Sequence, residues 1–472
     1  MEILLVNPSQ VKAYGKIKPP MQMHMGLAYI AASLEKNANN VEIMDIGAEN
    51  LNLQDFAKTV KAKRYDIAGF TVTSPTLSSA LELAQTLKKQ SPSTLTVFGG
   101  IHATISPLET AGFDCVDVVV KGEGEITLRE IAENIRRKND LSGVKGLVYK
   151  ENGVLRQTPA RPLIENLDEV PFPARHLIRK KVYTYPDALY RNAAPMITSR
   201  GCPGRCTYCN VRQIFGNVFR TRTAGNIVDE IEFLVRKTRV KEIHIWDDNF
   251  TTVKKRVFEI RDEIKKRNLK VKFAFPNGIR ADFLSEDIMK ALKDMGTYSI
   301  AVGVESGSQD VLDRARKGVK LRKVEEVFAL ARKMKLETWA FFMIGLPGDD
   351  SHRVKQTIDF AGRLNPDVAK FHILKPYPGT EVYDYLLSKN LILTKDYDQF
   401  GIHTPPVHRL EKMLPSEMLE WQKEAYKRFY LRPARIFKQI LRIRTFNRLI
   451  VNFQAGLGLL RMTFFKDGLS GK

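Results

Sequence analysis

The sequence predicts an α/β protein: an N-terminal doubly wound parallel sheet, then a partial (β/α)6 barrel of the TIM type, and last a basic helical region. Strands alternate with helices through the first third of the chain, and six further strand–helix pairs follow after residue 192. Parallel strands need such helical crossovers. Because 472 residues exceed what one hydrophobic core normally supports, we expect four regions: residues 1–140, a linker over 141–191, the barrel over 192–385 and helices over 386–472.

Five short runs rich in apolar and β-branched residues predict the strands of the first sheet. They are Glu2–Asn7, Val41–Ile46, Ile67–Val72, Leu95–Gly100 and Val116–Val120, with helices such as Gly26–Glu35 and Leu77–Gln90 between them. Ligands of doubly wound sheets bind at the carboxyl ends of the strands. The residues near those ends that could contact a ligand are Asn7, Thr73, Ser74, Gly99, Gly100, His102, Gly122 and Glu123.

Glycine and small hydroxyl residues prevail in that set, and such residues let a ligand approach the backbone and supply hydrogen bonds without bulk. They favour a site for the nucleotide-like tail of a ligand. The alternative is that each loop is an ordinary turn or the start of a helix. After this sheet, Pro171 and Pro173 disfavour a continuous helix or a central strand, so Leu141–Arg191 is predicted to connect two domains.

The second alternation predicts a barrel whose active-site residues follow the carboxyl ends of its strands. The predicted strands are Pro195–Ser199, Glu242–Trp246, Lys272–Phe275, Ser299–Val304, Thr338–Ile344 and Ala369–Leu374. The predicted helices include Ala224–Lys237, Lys254–Arg267, Ser285–Met295, Lys323–Lys335 and Ser351–Leu364. The candidate site residues at the strand ends are Asp247, Asp248, Arg280, Glu305, Ser306, Gly345 of the GLPG turn and Lys375. A helix cap, a plain turn or a surface ion pair is the alternative role for such residues.

Three of the four cysteines lie in one loop after the first barrel strand, with the spacing C-x3-C-x2-C: Cys202, Cys206 and Cys209. Three thiolates can hold three corners of a cubane 4Fe–4S cluster and leave the fourth iron open. Zinc is disfavoured because no histidine lies between His176 and His244. A disulfide is disfavoured because cysteine is scarce and the first residues lack the features of a secretory signal. We therefore expect a cytoplasmic protein.

The cysteine spacing resembles the signature of the radical S-adenosylmethionine (SAM) superfamily. Residues 1–385 as a whole resemble its cobalamin-binding subclass, which includes lipid C-methylases and the anaerobic Mg-protoporphyrin ester cyclase. In that family SAM binds the open iron, and an electron from the cluster cleaves it to a 5′-deoxyadenosyl radical. This radical removes a hydrogen atom from the substrate, and cobalamin then supplies a methyl group or otherwise steers the substrate radical.

The resemblance also implies which barrel residues contact SAM. These are Tyr208 beside the cluster and adenine, Asp247 or Asp248 at the amino group, Arg280, Glu305 and Ser306 at the ribose and carboxylate, and Gly345 in the turn that packs on adenine.

The motif D-x-H-x-x-G, whose histidine binds cobalt in part of this subclass, is absent from the sequence. Around His24, the positions of its acidic residue and its glycine are occupied by Gln22 and Leu27. The resemblance therefore implies base-off cobalamin without a histidine ligand. His24 and His102 are expected to have structural or supporting roles.

The last part of the chain is strongly basic and contributes to a net charge of +22. No acidic residue occurs between Ala425 and Lys466, and the run ARIFKQILRIRTFNRLI alternates cations with apolar residues near helical spacing. Such a helix suits the surface of an anionic membrane. A helix packed on the barrel with a basic outer face, or an RNA-binding arm, are the alternatives.

The resemblance, together with the basic C-terminal stretch, implies a cobalamin-dependent radical SAM methyltransferase that modifies an unactivated carbon of a hydrophobic small molecule, an isoprenoid lipid or a tetrapyrrole. Its implied partners are that substrate, an external low-potential electron donor and an anionic membrane surface, on which a cytoplasmic enzyme would be peripheral. Nucleic acid is disfavoured because no RNA-binding module follows the barrel. An oxidative cyclase, an RNA-modifying enzyme and a corrinoid- and cluster-binding sensor are the alternatives.

Overall fold

The first sheet of the protein has seven strands in the order β2-β1-β3-β4-β5-β6-β7. A computed structural model describes residues 1–14, 21–178, 183, 185, 188–433, 435 and 436. The strands of this sheet are β1 (Glu2–Asn7), β2 (Asn40–Asp45), β3 (Ile67–Thr71), β4 (Leu95–Gly99), β5 (Val118–Val120), β6 (Leu147–Glu151) and β7 (Val154–Gln157). The first five are parallel, and all five predicted strands are present.

Helices cover both faces of this sheet, which confirms the doubly wound class. They are α1 (Val11–Tyr14), α2 (Met25–Glu35), α3 (Leu53–Ala62), α4 (Leu77–Gln90), α5 (Ile101–Ile105), α6 (Pro107–Gly112) and α7 (Gly124–Arg136). Alternate residues of β1 belong to different cores, as the two-residue period of a strand requires. Ile3 and Leu5 pack with α2 and α7, whereas Leu4 and Val6 pack with α3 and α4.

The strands β6 and β7 form a hairpin that continues the first sheet past residue 140, and the sequence analysis did not predict it. The hairpin is antiparallel to β5, and its outer strand is exposed. Its turn is Asn152-Gly153, where both residues have positive φ, 51° and 78°. An Asn-Gly pair between two apolar runs is a strong hairpin signal that the sequence contained. The division of the chain into domains remains a prediction.

The second sheet has six parallel strands that follow one another in chain order, as expected of a partial barrel. They are β8 (Ala193–Met196), β11 (Glu242–Ile245), β12 (Lys272–Ile279), β13 (Thr297–Glu305), β14 (Glu337–Ile344) and β15 (Val368–Ile373), with the short pair β9 (Ser199–Arg200) and β10 (Arg220–Thr221) between the first two. The first predicted strand is therefore wrong at its end. Backbone groups at Ile197 and Thr198 bond to side chains of Tyr29 and Asp247 instead of to a neighbouring strand.

Outer helices complete the barrel. They are α8 (Val211–Phe215), α9 (Ala224–Arg236), α10 (Lys254–Lys266), α11 (Glu286–Met295), α12 (Gln309–Arg314), α13 (Leu321–Lys333), α14 (Ser351–Leu364), α15 (Glu381–Ser388) and α16 (Pro415–Tyr430). Helix α16 lies along β15, where the hydroxyls of Tyr426 and Tyr430 accept hydrogen bonds from the N–H groups of Phe371 and Ala369. The Nε2 group of Gln422 donates to the Phe371 carbonyl.

Most of the basic C-terminal stretch, residues 437–472, lies outside the described residues, and so does most of the predicted amphipathic helix. Within the part of the chain that the structure describes, no helix has the length and hydropathy that crossing a membrane requires. The predicted membrane contact of this stretch stays a prediction.

Buried ion pairs hold the linker against the barrel. Glu230 of α9 accepts hydrogen bonds from Arg175 of the linker at 2.8 Å and from Arg222 at 2.5 Å. The Glu230 side chain is 1% exposed, and neither arginine side chain exceeds 8%. Arg175 also donates to the carbonyl of Pro195 in β8, and Arg222 donates to the carbonyl of Ile197 directly after β8. This cluster therefore ties the connecting segment to the strand that precedes the cysteine loop.

We predict that Glu230→Gln lowers the free energy of unfolding by about 3 kcal/mol, because two buried guanidinium groups would lose their counter-charge. The matched control is Glu259→Gln, which removes a solvent-exposed i,i+4 partner of Lys255. That change should cost no more than about 0.5 kcal/mol. Urea unfolding followed by circular dichroism measures both, and equal effects of the two variants would contradict the prediction.

Candidate functional site

The three-cysteine loop lies between β9 and α8, at the carboxyl end of the first barrel strand. Cys202, Cys206 and Cys209 are free thiols and partly exposed. The short pair β9–β10 closes the base of the loop. Gly201, at φ +90°, begins it, and a Cβ there would lie 2.1 Å from the Val218 carbonyl oxygen. Only glycine therefore allows the loop to leave β9 along this path.

The thiols have donors close by. Arg280 Nη1 donates to Cys206 Sγ at 3.6 Å, and the N–H of Gly204 donates to Cys202 Sγ at 3.4 Å. Burial raises the pKa of Cys202, and it raises the pKa of Cys209 to about 11. Near neutral pH these two groups therefore remain thiols unless a metal stabilises the thiolate form.

The donor set of the loop fits an iron–sulfur cluster better than a single metal ion. Among the described residues, no three His, Cys, Asp or Glu side chains are placed to hold one ion. In a cubane cluster each cysteine binds a different iron, so the three sulfurs need not converge on one point. A Cβ on Gly204 would lie 2.8 Å from Arg280 Nη1 and 3.3 Å from Cys202 Sγ. The backbone at Gly204 therefore packs directly against the cysteine sulfur and the arginine.

The two adjacent aspartates predicted at the SAM amino group have different surroundings. The Asp247 carboxylate is buried and accepts hydrogen bonds from the Thr198 N–H at 2.6 Å and from the Ser199 hydroxyl at 2.5 Å, and it pairs with Arg256. Asp247 therefore holds the backbone before the cysteine loop. Asp248 accepts a hydrogen bond from the Gly201 N–H, at 2.9 Å. Burial raises the pKa of Asp248 to about 6.

Glu305 lies at the end of β13 and faces the cysteine loop through a buried lysine. Lys317 Nζ donates to Glu305 Oε1 at 2.7 Å and reaches the Tyr208 hydroxyl at 3.5 Å. Arg280 donates to the Lys317 carbonyl at 2.6 Å. The structure thus brings together three predicted residues, Tyr208, Arg280 and Glu305, around Lys317. The sequence analysis missed Lys317, because it follows the short helix α12 and not a strand.

Ser306 and Gly345, which were also predicted to contact SAM, form hydrogen bonds with other parts of the protein. The Ser306 hydroxyl is fully buried against Thr357 of α14 and accepts the Ser308 N–H. Gly345 donates its N–H to Asp349, and its carbonyl accepts from His408 Nε2 at 2.9 Å. Both are held inside the protein by these bonds.

A cavity of about 280 Å³ lies between the carboxyl edge of the first sheet and the start of the cysteine loop. Four residues predicted for the first site lie on its wall: Gly99, Gly100, Gly122 and Glu123. The sequence analysis did not assign other residues of the wall to this site. They include Gly26, Thr71, Gly124, Phe215 and Trp246, and, on the side of the cysteine loop, Ser199, Arg200 and Asp248. Asp248, which was predicted to contact SAM, thus lies on the wall of this cavity.

Glu123 serves mainly as an ion-pair partner. Its carboxylate accepts from Arg200 at 2.6 Å, from Arg220 at 2.9 Å and from the Ile164 N–H at 2.8 Å. Arg200 also pairs with Glu125 at 2.5 Å. Burial would raise the pKa of Glu123, but the two guanidinium groups outweigh it and lower that pKa. These pairs join the first sheet to the barrel.

Four residues predicted at the first site do not line this cavity: Asn7, Thr73, Ser74 and His102. Asn7 donates to Asp45 and lines a separate cavity of about 70 Å³. Thr73 bonds to Thr76 of the following turn. The Ser74 hydroxyl bonds to His102 Nδ1 at 3.0 Å, and the His102 ring packs edge-on against Tyr397.

His24 lines the cavity, but both of its ring nitrogens have partners. Nδ1 accepts the Leu27 N–H at 3.2 Å and caps α2, and Nε2 lies 3.3 Å from the Thr71 hydroxyl. Burial lowers the pKa of His24. The imidazole therefore acts as a neutral helix cap in the wall, consistent with the expected structural role.

Comparison with known families matches both parts of the chain. Residues 196–361 match the Radical SAM superfamily, and residues 20–132 match the B12 binding domain. An uncharacterized methyltransferase of Pyrococcus horikoshii is 34% identical over 441 residues, which cover 93% of this chain and 95% of that protein. An anaerobic magnesium-protoporphyrin IX monomethyl ester cyclase of Rubrivivax gelatinosus is 26% identical over 443 residues, 92% of this chain and 78% of that protein.

Two solved structures share the fold. The cobalamin-dependent S-adenosylmethionine radical enzyme OxsB, with aqua-cobalamin and S-adenosylmethionine bound, superposes with a TM-score of 0.76 at 17% identity, over 98% of this chain and 72% of that chain. The radical S-adenosylmethionine methyltransferase TsrM from Kitasatospora setae superposes with a TM-score of 0.67 at 19% identity, over 82% of this chain and 76% of that chain.

A glycine on the cavity wall, Gly99, allows a test of corrinoid binding. A Cβ on Gly99 would meet only Val120, at 3.9 Å, so Gly99→Leu would extend into the cavity at little cost to the backbone. We expect it to weaken binding of hydroxocobalamin at least about tenfold, because the side chain occupies the space a corrinoid needs. Absorbance titration of the corrin measures the affinity. Gly112→Leu, at an exposed position with no atom within 4 Å, is the control, and unchanged affinity in Gly99→Leu would contradict the prediction.

His408 should make the fold sensitive to acid. Burial lowers its pKa from 6.5 to about 4, so between these values the unfolded chain binds a proton that the folded protein does not. Its contribution to stability is complete above pH 6.5 and is lost as the pH falls towards 4, by about 3 kcal/mol. His408→Gln retains an N–H donor for the Gly345 carbonyl and should reduce that dependence, whereas His102 and His372, whose pKa burial also lowers to about 4, keep their share of it.

The measurement is the free energy of urea unfolding at a series of pH values between 6.5 and 4. The control is His352→Gln, which changes an exposed histidine and should keep the wild-type slope. A His408→Gln protein with the wild-type slope would show that another group governs the acid response.

Proposed function

Since this chain belongs to the cobalamin-binding radical SAM superfamily, we propose that it is a methyltransferase that replaces a C–H bond of an apolar substrate by a C–CH3 bond, with SAM as the source of the methyl group. The name of the Pyrococcus horikoshii relative, with its nearly full-length alignment, supports methyl transfer. The class of enzyme follows from the family, whereas the reaction and the substrate are our proposal.

The observation that carries this proposal is the continuity of the cavity with the cysteine loop. Arg200 lines the cavity, and two residues later the chain reaches Cys202. Asp248 lines the cavity too and holds the N–H of Gly201 at 2.9 Å. A corrinoid in this cavity would therefore lie beside a cluster on the loop, as a reaction that uses both requires. A sensor would have no need of this adjacency.

When bound, the cluster with SAM would supply the radical chemistry and cobalamin the methyl transfer; the protein supplies position and exclusion of water. Cys202, Cys206 and Cys209 would hold the cluster. Arg280 and Lys317 place positive charge beside these sulfurs. Such charge stabilises the thiolate form that iron needs.

We also infer that cobalamin binds without a histidine ligand. His24 is the histidine on the cavity wall within the described residues, and its two nitrogens are committed to Leu27 and Thr71. Cobalt ligation through Nδ1 would remove the cap of α2, and ligation through Nε2 would displace the Thr71 hydroxyl. This supports the base-off form implied by the missing D-x-H-x-x-G motif.

The barrel lumen supports an apolar substrate. Trp339, Phe341 and Met343 of β14 are half-buried, whereas the residues between them are fully buried against the outer helices. Half-buried aromatic side chains inside a barrel offer an apolar surface to a ligand. This wall is consistent with the predicted lipid or tetrapyrrole class.

Anaerobic reconstitution tests the enzyme proposal. With iron, sulfide, hydroxocobalamin, dithionite and SAM, the wild-type protein should release 5′-deoxyadenosine, measured by mass spectrometry. Cys206→Ala should fall to the background of the reagents, because the cluster would lose a ligand. Cys115→Ala is the matched control, since this buried thiol lies under α4 far from the loop. No 5′-deoxyadenosine from the wild type, or equal amounts from Cys206→Ala, would refute the proposal.

The reaction type is read from the substrate. Incubation with apolar extracts and SAM carrying a trideuterated methyl group should yield a compound that contains the label. The cyclase relative, aligned over 92% of this chain, makes ring closure the second candidate. Loss of hydrogen from the substrate without label would favour that reaction over methyl transfer.

A further inference from the structure

The lumen face of the last two barrel strands carries a cation among aromatic rings. On β14 and β15 burial alternates along the sequence, so one face packs on the outer helices and the other faces the lumen. Phe342 and Phe371 stack on the outer face, and Phe371 also packs against Tyr426 of α16. Lys370 and His372 lie on the lumen face.

Lys370 makes its contacts with rings. Its Nζ lies 4.8 Å from the centre of the Trp339 ring and 5.7 Å from that of Phe341. Among the described residues, Lys370 forms no ion pair or hydrogen bond through Nζ. The acidic residue on the same face of β14, Glu337, accepts a hydrogen bond from Trp339 Nε1. A half-buried ammonium group that is held by ring faces alone retains its three donors for a ligand.

Besides Glu337, three nitrogen-bearing side chains lie near Lys370: His372, His403 and Lys375. Burial, with Lys370 and His403, lowers the pKa of His372 to about 4, so its ring is neutral and available to hydrogen-bond. His403 packs 6.3 Å from His372. Lys375 is buried nearby, and its Nζ donates to the carbonyls of Gln399 and Thr404. Lys370 thus lies near neutral imidazole rings and near a lysine whose pKa burial lowers to about 7, and an anion is the favourable complement of its ammonium group.

The rings connect this cation to the cysteine loop. The Phe341 ring lies 3.6 Å from where a Cβ on Gly278 would be. A Cβ on the neighbouring Gly303 would meet the Glu305 carboxylate at 2.5 Å and Lys317 Nζ at 2.9 Å. The absence of a side chain at the two glycines thus lets the Phe341 ring and the Glu305–Lys317 pair lie against neighbouring parts of the same wall. The Glu305–Lys317 ion pair is therefore the group nearest the cysteine loop, the Phe341 ring follows it, and Lys370 lies beyond the ring.

We propose that Lys370 binds a carboxylate or phosphate group of the substrate, while the apolar part of that substrate lies along Phe341 and Trp339 towards the cysteine loop. This inference rests on the proposed function and narrows its substrate class to an apolar molecule with an anionic group. The distance between the two ends of the lumen then selects which carbon faces the loop. Lys370 is a specificity-determining residue in this arrangement.

Binding of three probes with one ring system tests the proposal: 2-naphthoate, 2-naphthyl phosphate and the neutral 2-naphthylmethanol. Equilibrium dialysis with the reconstituted full chain should show at least one anion bound about tenfold more tightly than the alcohol, the effect of one charge-assisted hydrogen bond. Tighter binding of the carboxylate or of the phosphate supports the proposal in either case and identifies the anionic group.

The variants separate charge from shape. Lys370→Gln should bind the anions and the alcohol equally, whereas Lys370→Arg, which keeps the charge, should retain the preference. Lys355→Gln removes an exposed lysine of α14 and controls for the change in net charge. Equal affinity of acid and alcohol in the wild type, no binding of any probe, or a preference that survives Lys370→Gln would overturn the proposal. Formation of 5′-deoxyadenosine is measured separately, so its failure tests the proposed function and not this subsite.

Discussion

Buried arginine pairs join the first sheet of this protein to the barrel, and Arg200 makes two of them. Arg200 leaves β9, forms buried ion pairs with Glu123 and Glu125 at the carboxyl edge of the first sheet, and precedes the cysteine loop directly. Because removing one partner of a buried pair leaves an uncompensated charge, the position of the first sheet relative to the barrel is strongly constrained here. The cavity lies between the elements that this contact holds, so its shape and its distance from the cysteines depend on the same bonds.

Local patterns predicted much of the fold and part of the site. The strands of both sheets follow from apolar runs between helical segments, and the cysteine loop follows from spacing alone. The roles of polar residues were harder to predict, because a strand end places a residue near a site without orienting it. Asp247 and Asp248 are neighbours, yet Asp247 bonds to Thr198 inside the protein and Asp248 lines the cavity. The pair of Asp247 with Arg256 of α10 is a contact that the sequence did not predict.

Contacts between different elements account for a residue that the sequence analysis missed and for one that lies away from the cavity. Lys317 reaches Glu305 because the short helix α12 folds back on the barrel mouth. His102 turns away from the cavity because Tyr397, almost three hundred positions later, supplies an aromatic contact. The hairpin β6–β7 is different, since its Asn-Gly turn was visible in the sequence. The contacts of Lys317 and His102 depend on how separate elements pack together, which no local pattern in the sequence indicates.

The position of α16 has a consequence for how copies of this protein meet. A partial barrel ends in strands whose outer backbone groups are open to pairing with another chain, which is a route to aggregation. Along β15 those groups bond instead to Tyr426, Tyr430 and Gln422 of the helix. Side chains rather than a further strand satisfy the edge, so strand addition at β15 would first have to displace the helix. The barrel sheet can thus end at β15 without exposing an edge that would pair with a strand of another copy.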